Sequence, residues 1–413
     1  MTVIEFFDQT PIENVIGSIT IEFNKIIFVG DSKLMDEFEP IYKEFAKNRD
    51  IKAEISHRAI NKNNLLNIVE VLSQIVEQEN ECFFDLTGGE DLTLVAMGIV
   101  FERYKHKNIQ MEHFNFNSIK SSDSDNDGHL ISNKTAKINI DELIGIHGGK
   151  VVYTEDAEKD IGTFKWQFTD EFLKDIDLMW KICRKDPKKW NSEIFVLLKM
   201  CEFLHNKNSL TISANVSDLE SFVRNEGGRY VPIVNLLNEL QSIGVIKNLS
   251  FKDCKISLTF KNKQIKKCLT KAGTVLELKV TTSAMAVTRK DKSKIYDECI
   301  NGVYIDWNGG EQKETDTFNE IDVILLSGFT PIFISCKNGH VDDEELYKLE
   351  TVATHFGGEN VKKVLIASYL GKQGESKEHF VNRAKEMDIN FIDQVHTLTD
   401  ARFDGMIKQL INS

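Results

Sequence analysis

FNEIDVILLSGFTPIFISCKNG, residues 318–339, holds two apolar runs about a short turn, and each run ends in residues that do not suit a core. Residues 321–326 and 331–336 are rich in β-branched and aromatic side chains, and SGFT between them is a turn signal, so the stretch predicts a β-hairpin. Folding about Phe329 sets Asp322 opposite Ser335 and Glu320 opposite Lys337. Strand alternation then places all four on one face of the sheet, where carboxylates and a lysine meet. A cross-strand ion pair at a sheet edge is the plain reading of such a group, and a reaction centre is the other.

The chain around this hairpin is an ordinary globular one. Its 413 residues are 41% hydrophobic, enough for two or three domains with cores of their own. There is no apolar run of about 18 residues, and the opening MTVIEFFDQT has neither a basic segment nor an apolar one behind it. Neither membrane span nor signal peptide is therefore expected, and a cytoplasmic location is. Seven cysteines make no CxxC pair and no Cys/His cluster at zinc spacing, so reduced thiols are expected rather than disulfides or a zinc site. A net charge of −13 argues against broad non-specific binding of nucleic acid and leaves that task to local basic patches.

In residues 1–145, the strand-like TVIEFFD, KIIFVG, KAEISH, ECFFDL and IQMEHFNF alternate with three helical stretches. KLMDEFEPIYKEFAKN, NNLLNIVEVLSQIVEQ and DLTLVAMGIVFERYK carry apolar residues at i, i+3 and i+4. This order predicts an α/β unit with a parallel, Rossmann-like sheet, in which ligands sit beyond the carboxyl ends of the strands. Three turns there are small and polar: DQTPIEN (8–14), GDS (30–32) and DLTGGEDLT (85–93). Gly88 and Gly89 let the backbone approach a ligand, and the following helix start offers amides to an anion, so the turns suit phosphates. Easing a tight strand-to-helix turn is the structural alternative. With no GxGxxG and no GxxxxGK[ST], neither a nicotinamide nor an ATP enzyme is indicated. DSDNDG (123–128) imitates the start of a calcium loop, but Lys134 stands where the bidentate glutamate belongs, and a solvated loop is expected.

Across residues 146–262, DEFLKDIDLMWKICRK and SEIFVLLKMCEFLHNK are helical, and VSDLESFVRN, VPIVNLLNELQSIGVI and KNLSFKDCKISLTF follow in winged-helix order. Residues 232–244 hold no Lys or Arg, so the second helix is not expected to read a DNA groove, and a spacer or dimerisation element is the expectation.

From residue 263 the pattern changes again. TKAGTVLELKVTTSAMAV predicts a helix carrying Glu277, the hairpin follows, and DDEELYKLETVATHFGG is a helix stopped by Gly357 and Gly358. KKVLIASYL is a strand, and SKEHFVNRAKEMDINFID closes with helix and strand. The lysine-rich stretches KNKQIKKCLTK (261–271) and RKDKSK (289–294) are expected to be solvated faces. Phosphodiester cleavage needs carboxylates to hold a metal, an activated water and a cation beside the scissile phosphate. Asp322, Glu277 and Lys337 supply residues of those kinds.

This arrangement resembles the PD-(D/E)xK restriction-endonuclease-like core, in which an aspartate, a hairpin and (D/E)-x-K follow in order. The tripeptide here is Ser335-Cys336-Lys337, so a serine stands where the family has a carboxylate. The resemblance implies Asp322 and Glu277 as catalytic, metal-holding carboxylates, the Cys336 carbonyl as a further metal ligand and Lys337 as the catalytic cation. Glu277, Glu320, Glu350 or another acid of the 344–350 helix would replace the missing charge. Ser335 would act through a water or leave room for that acid.

DLTGGEDLTLVAMG resembles a CARF motif, and with it the whole chain resembles the CRISPR-associated CARF-domain ancillary nucleases of type III systems, the Card and Can type. The resemblance implies a CARF unit (1–145), a winged-helix connector (146–262) and a C-terminal nuclease (263–413). It also implies a homodimer that binds a cyclic oligoadenylate, the four-adenylate ring, through Gln9, Thr10, Asn14, Asp31, Ser32, Thr87, Gly88, Gly89 and Thr93. Binding would switch on cleavage of DNA, RNA or both with Mn2+ or Mg2+. Two other readings stay open: a nucleotide-sensing winged-helix transcription regulator, and a catalytically weakened nuclease-like scaffold.

Overall fold

The computed structural model describes residues 1–412 apart from 8–9, 116–119, 125–129, 133–135, 158, 160, 204–208, 310–317, 340 and 359, and for 120–124 and 130–132 it describes the backbone alone. The N-terminal unit runs β1 (Thr2–Phe6), α1 (Glu13–Thr20), β2 (Lys25–Gly30), α2 (Ser32–Asn48), β3 (Glu54–Ala59), α3 (Leu65–Gln78), β4 (Glu81–Asp85), α4 (Asp91–Arg103) and β5 (Asn108–Asn115). Its strands lie parallel in the order β3-β2-β1-β4-β5, and β6 (Lys120–Ser124) and β7 (Leu130–Ser132) extend the sheet antiparallel. Crossover helices bury the central strands β1, β2 and β4 on both faces, which is why these read as mainly apolar runs, whereas β3 at the edge is largely exposed.

Two departures from the sequence reading matter. Residues 13–20 form a helix where a turn was expected to reach Asn14, because Val15 and Ile16 bury against the sheet and supply the tertiary packing that so short a helix needs. Asp123 lies on β6 opposite Glu112 rather than in a loop, and the remainder of DSDNDG past Ser124 falls outside the described residues.

Three acids cross the interior of this sheet in register. Glu5 on β1 lies beside Asp85 on β4, which lies beside Glu112 on β5, and all three are fully buried. Helix α1 covers them at Gly17, where a Cβ would come within 2.7 Å of Glu5 Oε2 and 2.9 Å of Asp85 Oδ2. The Thr87 amide donates to Asp85 Oδ1 at 2.8 Å, and Thr20 Oγ1 donates to Glu112 Oε2 at 2.9 Å. Among the described residues neither carboxylate oxygen of Glu5 has a hydrogen-bond partner. Burial, with Asp85 and Glu112 adding repulsion, pushes Glu5 well above the usual carboxylate range, and burial raises Asp85 to about 6.

The chain then passes through α5 (Ile140–Ile146), β8 (Lys150–Val151), β9 (Tyr153–Thr154) and β10 (Thr163–Phe164) to α6 (Asp170–Cys183) and α7 (Pro187–Phe203). Next come β11 (Thr211–Asn215), α8 (Val216–Asn225), α9 (Val234–Ser242), β12 (Ile246–Lys252) and β13 (Lys255–Phe260), with an antiparallel sheet in the order β11-β13-β12. The sequence reading lacked β11. Asp253 and Cys254, both left-handed, close the β12–β13 hairpin.

The C-terminal unit comprises α10 (Lys263–Leu269), α11 (Thr274–Ala286), β14 (Glu298–Asp306), β15 (Phe318–Ser327), β16 (Thr330–Lys337), α12 (Asp343–Gly357), β17 (Lys362–Ala367), α13 (Glu375–Glu386), β18 (Ile389–Ile392) and α14 (Asp400–Gln409). Its sheet has the order β18-β17-β16-β15-β14-β8, so β8 is its edge strand. Helices α11 and α14 cover one face and share a core with the middle unit, whereas α12 and α13 cover the other and share a core with the N-terminal unit. Phe114 meets Phe329 edge-on at 5.1 Å across that second junction. Strand β14 was not anticipated, because Asn301-Gly302 in its middle reads as a turn.

The run 261–271 is not a solvated face. Lys261 pairs with Asp175 at 2.6 Å, Lys266 is buried and donates to the Ser209 carbonyl, and Lys267 donates to the Ala157 carbonyl. All seven cysteines are free. No helix among the described residues is long and apolar enough to cross a membrane.

Candidate reaction centre and ligand turns

The hairpin turns at Gly328-Phe329 and keeps the expected register from Ser327↔Thr330 to Val323↔Ile334. Beyond that pair the side chain of Asp322 takes over: its Oδ2 accepts from the Cys336 amide at 2.7 Å and from the Ser335 hydroxyl at 3.3 Å. Lys337 Nζ stands 3.8 Å from the same oxygen and 2.7 Å from Glu345 Oε2 on α12.

Strand alternation slips at this point. Ile321 packs into the core under α12 and Val323 into the core under α11, although residues two apart in a strand share a face. Gly302, on β14 beside this step, has φ +59°, which a residue without a Cβ adopts without strain. The expectation of four residues on one face is thus corrected. Glu320 joins Lys271 at 2.5 Å on the α11 side, while Lys337 joins Glu345 on the α12 side. Asp322 lies at the step between them.

Glu277, in the first turn of α11, is buried and stands 4.0 Å from Lys271 Nζ. Burial lifts it to about 8; Lys271 opposes the rise, and Asp322 and Glu320 add to it. Burial likewise raises Asp322, with Lys337 and the Cys336 amide holding it down. Burial works against the charged form of Lys337, but Asp322 and Glu345 outweigh it and hold the lysine above its usual value. The Cys336 thiol is buried in the α11-side core, so only its carbonyl remains for the ligand role that the resemblance implies. Glu350 is out of reach: it pairs with Lys363 at 2.7 Å. On β17, Lys363 precedes Ala367, the neighbour of Lys337, by four residues, roughly 13 Å of strand. Glu345 was not singled out by sequence; its signal was the acidic first turn of the helix that follows the hairpin.

The buried Glu277 and the partly buried Asp322, both with raised proton affinity, are incompletely compensated hard oxygen donors, which suits Mg2+ or Mn2+. Among the described residues they do not yet converge as three donors on one point; the trio that does is Asp36, Glu39 and His57 on the surface. A cavity of about 310 Å³ opens beside the centre, with Glu277, Glu320, Lys271, Tyr304, Lys267 and Trp166 in its walls.

At the other end of the chain, β1, β2 and β4 are neighbours, so the turns after them lie side by side. Thr10 and Asn14 line one cavity, and Asp31, Gly89 and Thr93 line another, with Phe7 and Leu34 on the boundary of both. Asp31 caps α2, its Oδ1 accepting from the amides of Lys33 at 3.0 Å and Leu34 at 3.1 Å, which are amides an anion would otherwise take. Ser32 is the first residue of that helix. The Thr87 hydroxyl accepts from the Phe114 amide at 3.0 Å, and Gly88 is buried. Gly89 has φ +100° and sits where a Cβ would meet Phe6 at 2.8 Å. Asn14 and Thr93 are buried, and Gln9 lies outside the described residues.

No protein-family model and no curated protein match the chain. Among solved structures, protein VC1899 from Vibrio cholerae superposes with a TM-score of 0.73 at 16% identity, over 100% of this chain and 98% of that one. Can2 from Sulfobacillus thermosulfidooxidans, solved in complex with cyclic tetra-adenylate, superposes with a TM-score of 0.62 at 15% identity, over 100% and 97%. At such identities the likeness is one of fold, and it extends from end to end.

Proposed function

We propose that this chain is a metal-dependent nuclease of type III CRISPR defence, switched on by a cyclic oligoadenylate, with cyclic tetra-adenylate as the ring. The observation that carries this reading is the centre at the strand step, where the partly buried Asp322 is held by the Cys336 amide at 2.7 Å with Lys337 at 3.8 Å. The end-to-end fold likeness to Can2, which binds cyclic tetra-adenylate, supports the activator. In this reading residues 1–145 sense the ring as a homodimer about a two-fold axis, 146–262 form a winged-helix connector, and 263–413 cleave DNA, RNA or both in the cytoplasm.

Glu277 and Asp322 would hold a divalent cation, Mn2+ or Mg2+, with the Cys336 carbonyl. Such an ion supplies Lewis acidity and a nucleophile at neutral pH. Lys337 directs its ammonium at charge that develops on the phosphate, and Glu345 fixes where that ammonium points. Ser335 and the Cys336 amide hold the Asp322 carboxylate in place. Supercoiled plasmid and a single-stranded RNA, each incubated with Mn2+ with and without cyclic tetra-adenylate, test the whole reading. Cleavage that rises about tenfold or more with the ring is expected; cleavage absent from both substrates, or indifferent to the ring, removes it.

A further inference from the structure

We infer that Lys271 is the resident cation of the reaction centre and that a divalent metal enters by displacing it. The inference rests on the nuclease reading above. Lys271 Nζ lies 2.5 Å from Glu320 Oε1 and 4.0 Å from Glu277 Oε1, so one ammonium serves two carboxylates of the cluster. Glu277 is buried and cannot turn to water for compensation, whereas the Lys271 side chain is half-exposed and free to swing outward. Any divalent ion that uses Glu277 or Glu320 competes with that ammonium for the same oxygens.

The position of Lys271 in the chain adds a second feature. It stands between the end of α10 and the start of α11. Helix α10 is tied outward by Lys266 to the Ser209 carbonyl at 3.1 Å and by Lys267 to the Ala157 carbonyl at 3.0 Å. A shift of the middle unit against the C-terminal sheet would carry Lys271 with it.

Calorimetric titration of Mn2+ into the metal-free full chain tests the inference without reference to cleavage. Lys271→Met is expected to bind Mn2+ about tenfold more tightly or better, because a competing unit charge close to the donors is gone. Lys271→Arg keeps the charge and is expected to stay near the wild-type affinity. In the unmutated chain, amine labelling followed by mass spectrometry should find Lys271 more reactive when Mn2+ is present. Unchanged or weaker Mn2+ binding by Lys271→Met, or labelling of Lys271 that Mn2+ does not alter, overturns the inference. Asp322→Ala separates the two levels. If it leaves Mn2+ binding intact, the metal centre itself is misplaced; if it weakens binding while Lys271→Met changes nothing, only the role of Lys271 falls.

Discussion

Lys337→Ala and Asp322→Ala are each expected to lower ring-stimulated cleavage about a hundredfold or more, the usual consequence of removing a group that stabilises charge in a transition state. Lys337 is partly exposed and pairs with Asp322 and Glu345. As a structural ion pair it would contribute under about 1 kcal/mol, and its loss would leave fold and rate nearly untouched. The two roles therefore separate on rate, with stability as the control. Asp322 is different, because its removal also leaves the Cys336 amide without its acceptor, a loss of about 1–3 kcal/mol. Asp322→Asn keeps an acceptor there and isolates the charge. Ser335→Ala should do less harm than either, since its 3.3 Å contact to Asp322 is the longer of the two and the Cys336 amide remains. Single-turnover cleavage at saturating Mn2+ and ring, alongside urea denaturation, decides the matter. Wild-type rates for Lys337→Ala would reduce the hairpin to ordinary sheet structure.

Asp85 is expected to make the chain less stable as the pH rises from 4 to 8, by about 2.4 kcal/mol on its own account. Its folded value is raised to about 6 from an ordinary 3.8 because burial penalises the charged form. The protonated acid is thus favoured in the folded chain. Its contribution is fully present below pH 3.8 and is lost as the pH rises through 6. Glu5, raised well above the carboxylate range, acts with the same sign. Asp85→Asn keeps an acceptor for the Thr87 amide and does not titrate, so relative to wild type it should gain about 2.4 kcal/mol between pH 4 and pH 8. Urea midpoints at pH 4, 6 and 8 measure this. Parallel pH profiles for the two proteins would mean that the folded chain does not perturb Asp85. Because Asp85 holds the Thr87 amide, the acid row sits directly beneath one of the turns assigned to the ring.

Local chemistry was enough to specify the hairpin. Two short apolar runs about a Gly-containing turn predict a hairpin whose register the turn sets, and the pairs from Ser327↔Thr330 to Val323↔Ile334 obey it. The same holds for the five parallel strands of the N-terminal unit and for α2, α3 and α4, whose apolar spacing is read within a dozen residues. What sequence could not determine is which side chains meet once elements from distant parts of the chain pack together. Glu320 was assigned to Lys337 by alternation, but the step beside Gly302 sends it to Lys271 instead. Glu345 and Glu350 look equivalent on one helix, yet one reaches Lys337 and the other Lys363. Helix α1 forms only because a sheet lies beneath it, and the three buried acids become a row only when β1, β4 and β5 come into register. Periodicity and turn chemistry act through covalently near neighbours and are written locally. Partner choice depends on the angle at which remote elements pack and on the dielectric they create, and neither exists until the chain has folded.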